Sequence, residues 1–498
     1  MRWLVNLWIV LSLAVAMAQI VLGTDLAFVL VSLVMFLLAP VVFRALLDAQ
    51  SIGAFVFAAT FAKLFFVSQV VKVALLQPAD SHLQAPLLTV TALLVLMVVF
   101  LLAVPVLRTV PIGRSGIVPI PQDPAFLTRL AAVALSLTLL SLLLRHLLGY
   151  DRVGDSDYVE GRGLVVIFFL GQLAPLAVAA LAARAAILSG GQRFLDRWVL
   201  LTIGACVLQG VWENQRTSML AGAVAYGIVY LSYGGRIRIR QIAALVVAGA
   251  VMQVVVFPLI DVQRGFQRDL GAIGFLSETL SVAWDLLDPT ARDTHVDRLD
   301  AMYEDWDTRL YYGSPTGFLD RFSPNAIDET VAHTEAFGPI GLSELPGQFL
   351  YMVPNMLLQS FGIERPMRSG ELLETSILGT FTNMNYGVPA EIYAHSGLAL
   401  FLPASLFVLC LYLLGLRLVY GPAQRNYFSA FGFSTCFFTY AVSDMSDIFS
   451  QLSIQGGLNL LVMLLAQALH GIASKSGAGS PRPGAADGTA KALGGAPL

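Results

Sequence analysis

The chain of 498 residues is 57% hydrophobic and only 13% charged, with a formal net charge of −3. Soluble domains carry roughly 25% charged residues, so this composition excludes an ordinary soluble fold and points to a polytopic integral membrane protein. The small net charge and the lack of a basic cluster exclude nucleic acid as a partner. Three cysteines, Cys206, Cys410 and Cys436, fall inside apolar runs with neither metal spacing nor a disulfide framework.

In chain order, apolar runs predict membrane-spanning helices near 4–22, 26–43, 52–74, 86–107, 129–148, 163–187, 197–212, 217–233, 240–260, 391–416, 427–443 and 452–470. Each approaches the roughly 20 residues that a bilayer demands, which makes the fold class all-α with about twelve spans. The first run follows a single basic residue, Arg2, and is long, so it reads as an uncleaved signal anchor. The organisation expected is a first helical part over 1–260, a large polar loop over 261–390, and a second helical part over 391–470. A Gly-, Ala- and Pro-rich tail over 471–498 has no apolar periodicity and is expected to be disordered.

With the N-terminus in the cytoplasm, Arg44, Arg108, Arg129, Arg184, Arg197, Arg417 and Arg425 fall at cytoplasmic helix ends. The opposite short loops carry mainly acids, among them Asp80, Asp151, Glu213, Asp444 and Asp447, with Arg145 and Arg216 as basic exceptions. The positive-inside rule then puts both termini in the cytoplasm and the large loop outside, which would be the periplasm in a Gram-negative cell, with the chain in its inner membrane. A loop of about 130 residues is uncommon unless it is functional, so a site is expected where it meets the helices. Within it, 345–361 is semi-apolar but broken by Pro346 and Pro354, and is expected to lie in the interface or re-enter the membrane.

Four groups of residues carry chemistry. Arg216, in the turn Trp212-Glu213-Asn214-Gln215-Arg216, sits at an outer edge that the positive-inside rule disfavours; its plain alternative is a pair with Glu213 or snorkelling to lipid phosphate. Arg264 and Arg268 are four apart just after the ninth run, so on a helix they share a face and suit a diphosphate through their planar donor forks. The alternative is a helix end touching lipid headgroups. Arg365 and Arg368, in Glu364-Arg365-Pro366-Met367-Arg368, form a second basic pair whose plain reading is a solvated turn. Glu391 and His395, four apart at the start of the tenth run, share a face at the membrane boundary, where a carboxylate and an imidazole can act as a base or bind a sugar hydroxyl. There Glu391 also has the plain role of stabilising a helix N-terminus.

Weaker signals belong to structure. The acidic stretch from Asp285 to Asp307 lacks calcium-loop order, and His333-Thr334-Glu335 is not a zinc-hydrolase motif. Lys72 is near a span end and can snorkel, whereas Lys63, deeper in the same run, has no evident role.

Taken together, these features resemble the Wzy-type O-antigen and oligosaccharide repeat-unit polymerases over roughly residues 200–420. The resemblance is carried by Asn214-Gln215-Arg216, then Arg236-Ile237-Arg238, Arg264, the run Phe349-Leu350-Tyr351-Met352-Val353-Pro354, and Glu391-Ile392-Tyr393-Ala394-His395-Ser396-Gly397-Leu398 before a helix ending near Leu414-Gly415. The family's common Asn-Phe-Gly is His395-Ser396-Gly397 here. The resemblance implies a metal-independent membrane glycosyltransferase, with no cofactor, acting on undecaprenyl-diphosphate-linked oligosaccharide. It also leaves room for a chain-length regulator as partner. Arg216, Arg264 and Arg268 would then bind the diphosphate, with Arg365 and Arg368 secondary, and Glu391 or His395 would act as base or sugar-hydroxyl partner. A ligase of the same chemistry and a flippase or exporter of lipid-linked oligosaccharide are the rival readings. An exporter calls for polar residues deep along several spans and for pseudo-symmetry, and no internal repeat is evident.

Overall fold

A computed structural model describes residues 2–49, 52–110, 117–147, 164–213, 216–235, 322–378, 386–436 and 439–477, with a few isolated positions between 241 and 285. Among the described residues there are helices and turns and no strand. Seven helices are long and apolar enough to cross a membrane, and three shorter apolar helices accompany them. This is a helical membrane protein. Most of 240–260, the ninth expected run, and most of 261–321 lie outside the described residues, as do 478–498.

The helices form because uninterrupted Leu, Val, Ile, Phe and Ala runs leave the backbone no partner in lipid but itself. They are α1 (Arg2–Val21), α2 (Leu26–Asp48), α3 (Gly53–Ala74), α4 (Pro86–Thr109), α5 (Pro124–Leu147), α6 (Leu164–Gly171), α7 (Ala174–Leu188), α8 (Arg197–Trp212) and α9 (Arg216–Ser232). After the loop come α10 (Asn325–Phe337), α11 (Ser369–Leu378), α12 (Val388–Tyr420), α13 (Tyr427–Cys436) and α14 (Met445–Ile472). The expected span 163–187 is matched by one candidate span, Val166–Leu188, in which a turn at Gln172 and Leu173 separates α6 from α7, and the expected span 427–443 ends its first helix at Cys436. The alanine-rich α7 is buried along nearly its whole length and packs against α5, α9 and α13. Small side chains there let the helix backbones approach closely, which is how membrane helices gain packing energy without a hydrophobic drive between them.

Aspartates start the helices and sort the ends of the bundle. Asp25 caps α2 through the Phe28 N–H, Asp123 caps α5 through Phe126, Asp196 caps α8 through Trp198 and Val199, and Asp444 caps α14 through Asp447. Helix α4 begins at Ala85, which has no capping side chain, and the loop supplies one. Asp328 of α10 accepts from the Gln84 and Ala85 N–H groups at 2.6 and 3.0 Å and from the Thr89 hydroxyl at 2.7 Å. The end of the polar loop is thus fastened to the bundle, at the same end where Asp25 N–H meets Asp80. The opposite end gathers the arginines: Arg129 bonds His470, Arg184 pairs with Asp196 at 3.5 Å, and Arg417 donates to the Leu107 carbonyl.

Two charged groups are buried at the ends of helices. Lys72 does not snorkel; it is 3% exposed and donates to the Ser81 hydroxyl at 3.1 Å, under the turn that follows α3. Glu213 is held by Arg145 of α5, with N–O 2.5 Å and both side chains buried. Gln209 adds a bond to the same carboxylate oxygen and also donates to the Gly171 carbonyl beside the α6–α7 break. Lys63 lies in a π-helical turn, Ala62–Phe66, inside α3.

Removing one member of a buried ion pair leaves the other charge uncompensated, which costs about 3–5 kcal/mol, whereas replacing both by apolar groups is close to neutral. Arg145→Ala is therefore expected to lower the thermal midpoint of the detergent-purified chain far more than the double change Arg145→Met with Glu213→Leu. Thermal melts of the two variants check this.

Candidate functional site

The first nine residues of α12, Val388 to Ser396, are all buried, and the helix then breaks at Gly397 (φ 60°, ψ 177°). That backbone conformation is open to glycine and strained for any other residue. The break frees the carbonyls of Ala394 and His395, and the returning loop uses them: Ile340 N–H donates to Ala394 at 2.9 Å and Gly341 N–H to His395 at 3.2 Å. What the sequence shows as the head of a span is thus a separate buried half-helix, clamped by the loop. Tyr393 extends the clamp through its hydroxyl to Glu335 of α10 at 3.0 Å.

Glu391 is 0% exposed. Its Oε2 accepts from the Ser369 hydroxyl at 2.6 Å and from the Met445 N–H at 2.9 Å. Met445 is the first residue of α14, so this carboxylate does stabilise a helix N-terminus, but that of another helix. The other oxygen, Oε1, is buried with no partner among the described residues. A Cβ on Gly370 would stand 3.3 Å from Oε1 and 3.3 Å from Asp444 Oδ2, so the two carboxylates face a wall made of bare backbone.

One turn on, His395 Nδ1 lies 3.0 Å from the Gly341 carbonyl oxygen. A carbonyl only accepts, so Nδ1 carries the proton, and in the neutral ring Nε2 presents its lone pair. Nε2 is buried without a partner among the described residues. Glu391 and His395 share a face as expected, and each leaves one polar atom unused.

The loop pair Arg365 and Arg368 joins this region. The segment 342–360 is broken into the short turns Leu342–Glu344, Leu345–Gln348, Phe349–Met352 and Asn355–Ser360, none long enough to span. Tyr351 is 8% exposed, with the Arg365 guanidinium 4.8 Å and the Arg368 guanidinium 5.9 Å from its ring centre. Two cations sharing one aromatic ring is a cation–π arrangement. Arg365 also donates to the Val353 carbonyl, and its Nε is buried without a partner among the described residues. Arg368 pairs with Asp447 at 3.6 Å. Burial works against both charges; the attraction of Asp447 and Asp444 outweighs it in Arg368 and lifts its pKa, while in Arg365 burial prevails and the pKa falls. Both remain cations at physiological pH. The turn 364–368 keeps Glu364 and Met367 exposed and the Arg368 side chain 39% exposed, while both guanidiniums also lean over Tyr351.

Arg368 is followed directly by Ser369, so the basic pair and the Glu391 carboxylate meet at one junction of loop and helices. Gln348 ties that junction together, donating to the Met367 carbonyl and accepting from the Ser369 N–H. Arg264 and Arg268 lie outside the described residues, and of Arg216 only the backbone, at the start of α9, is described. The sequence reading gave no role to Gln348 and Ser369, noted Tyr351 only within the run Phe349 to Pro354, and took Asp444 and Asp447 only as acids of a short loop. The one local signal was Asp444-Met445-Ser446-Asp447, an N-capping pattern ahead of an apolar run. Among the described residues no group of three His, Cys, Asp or Glu side chains is placed to hold a metal ion.

The Gly397 break sets the clamp, and a side chain there would have to sit in a disfavoured region at a cost of about 1–3 kcal/mol. Gly397→Ala is expected to lower the thermal midpoint and to speed proteolysis within 338–344, whereas Gly204→Ala, in open space on α8, does neither. Limited proteolysis with mass spectrometry reads both. No family model matches the chain, and no curated protein or solved structure matches it either.

Proposed function

We propose that the chain is a membrane glycosyltransferase that joins lipid-diphosphate-linked oligosaccharide units into surface polysaccharide at the outer face of the bacterial inner membrane. One observation carries this reading: two guanidiniums and a buried carboxylate with an unused oxygen meet at one loop–helix junction, Arg365 and Arg368 over Tyr351 and Ser369 on Glu391. The reaction needs that pairing. A hydroxyl of one unit attacks the anomeric carbon of another, a C–O bond forms, and the bond to the diphosphate breaks. Its proton goes to Glu391 Oε1, and the charge developing on the departing diphosphate is met by the arginines. His395 Nε2 accepts from a sugar hydroxyl and orients it.

In the closed arrangement Glu391 and His395 are 0% and 1% exposed, so substrate reaches them only when 340–341 and 369–370 lift. The loop then acts as a lid that excludes water, which would otherwise hydrolyse the activated sugar. A second reading, an exporter of lipid-linked oligosaccharide, draws on the buried Arg145–Glu213 pair and on the Gln455–Gln172 bond at 2.8 Å beside two irregular helix segments.

Disruption of the gene followed by complementation separates the readings. The disrupted strain is expected to carry single-unit surface glycan. Glu391→Gln and Arg365→Ala, present at normal membrane levels, are expected to lower polymer yield by about 10²-fold or more, as loss of a general base does. Loss of all surface glycan with lipid-linked units trapped inside points to export instead. Full-length polymer from both variants overturns the site.

A further inference from the structure

Beside the junction runs an apolar groove of about 270 Å³. One wall is the loop segment carrying Leu342, Pro346 and Phe349; the other is Phe407 of α12 with Met445 and Phe449 of α14. Phe349 is wedged between the helices, 4.6 Å from the Phe449 ring and 6.1 Å from that of Phe407. Phe407 is ten residues past the Gly397 break, so the groove floor lies about 15 Å down α12 from the clamp, at 1.5 Å per residue. The loop therefore descends along the face of two apolar helices that qualify as membrane spans, and the groove opens on that face, where Phe407 is 61% exposed.

The two cations stand close to the groove without lining it. Phe349, in its wall, and Tyr351, under both guanidiniums, belong to one 3₁₀ turn. At about 2 Å rise per residue they are separated by roughly 4 Å along its axis. Met445 lines the groove with its side chain while its N–H holds Glu391. An apolar groove close to a pair of cations complements an amphiphile with a hydrocarbon chain and an anionic head. Its volume is below the roughly 300 Å³ at which ordinary ligand pockets begin, so it admits part of one chain. A diphosphate head brings more charge to the two guanidiniums than the single phosphodiester of a glycerophospholipid.

We infer that this groove seats part of the single isoprenoid chain of the substrate's lipid carrier, with the carrier's diphosphate at Arg365 and Arg368. This rests on the reading of the substrate as lipid-diphosphate-linked and adds where its tail lies.

The test uses the full chain in nanodiscs and a twenty-carbon prenyl diphosphate bearing a diazirine near the chain's middle. Light-dependent labelling is expected on 342–349 and on the helix faces around Phe407 and Phe449. A tenfold excess of dioleoylphosphatidylglycerol should leave it unchanged. Ala404→Phe, which fills the groove, should reduce labelling at least tenfold, and Phe407→Ala, at an exposed position, should do so by opening the wall if the first variant misfolds. Arg365→Ala should weaken labelling by the diphosphate but not by the matching prenol. Labelling elsewhere, or equal displacement by the phospholipid, overturns the inference even if Glu391 and Arg365 prove essential for polymer. Groove labelling in a chain whose loss does not shorten surface glycan leaves the groove standing and removes the polymerase reading.

Discussion

The Glu391 carboxylate is the contact on which the rest of the arrangement depends. It reaches the Ser369 hydroxyl in the loop and the Met445 N–H at the head of α14, from a half-helix that is itself buried. A carboxylate removed from water is costly unless its lone pairs are used. Here the Oε2 lone pairs are used by two separate segments, so burying Glu391 and folding the loop onto the bundle are one event. Gly397 makes this possible, because only a broken helix offers the loop the two carbonyls that Ile340 and Gly341 bond.

The same logic repeats around that end of the molecule. Asp328 closes the N-terminus of α4 from the loop side, Arg145 and Glu213 neutralise each other between α5 and α8, and Lys72 is roofed by the turn carrying Ser81. Asp328, Arg145, Glu213 and Lys72 are all buried, and the first three have partners from distant parts of the chain, whereas Lys72 uses a turn nine residues on. The other end of the bundle relies on shallower contacts, such as Arg184 with Asp196, where both side chains keep a quarter to a third of their exposure. Where the loop docks, the burial of Asp328 and Glu391 is offset by partners that the docked loop brings to the helices or takes from them. At the loop–helix junction Glu391 Oε1, His395 Nε2 and Arg365 Nε are buried polar atoms left open among the described residues, as are Gln19 Nε2 and Ser32 Oγ elsewhere in the bundle.

The helical membrane class was legible from composition, because 13% charged residues cannot cover a soluble surface of this size. Element positions were legible wherever an apolar run was continuous, as in α2, α4 and α5. They were less so where the run hides a break, because Gln172-Leu173 and Gly397 interrupt helices without interrupting hydrophobicity. Glu391 and His395 were visible through their four-residue spacing. Arg365 and Arg368 were visible as residues but not as a stacked pair, since Tyr351 lies fourteen residues earlier and is brought to Arg365 only by the turns between. Ser369 and Asp328 carried no signal at all. Their roles are created by contacts spanning 22 and more than 200 positions, which no local periodicity encodes.

The central claim, that the loop from 322 to 378 is latched to the helices through Glu391, is tested most directly by hydrogen exchange of the reconstituted chain with peptide-level mass spectrometry. The account predicts that peptides covering 338–344 and 366–372 exchange as slowly as those of α10, and that Glu391→Ala speeds both by orders of magnitude while leaving α2 unchanged. Fast exchange of both peptides in the unaltered chain, or no change on removing the Glu391 carboxylate, would contradict it.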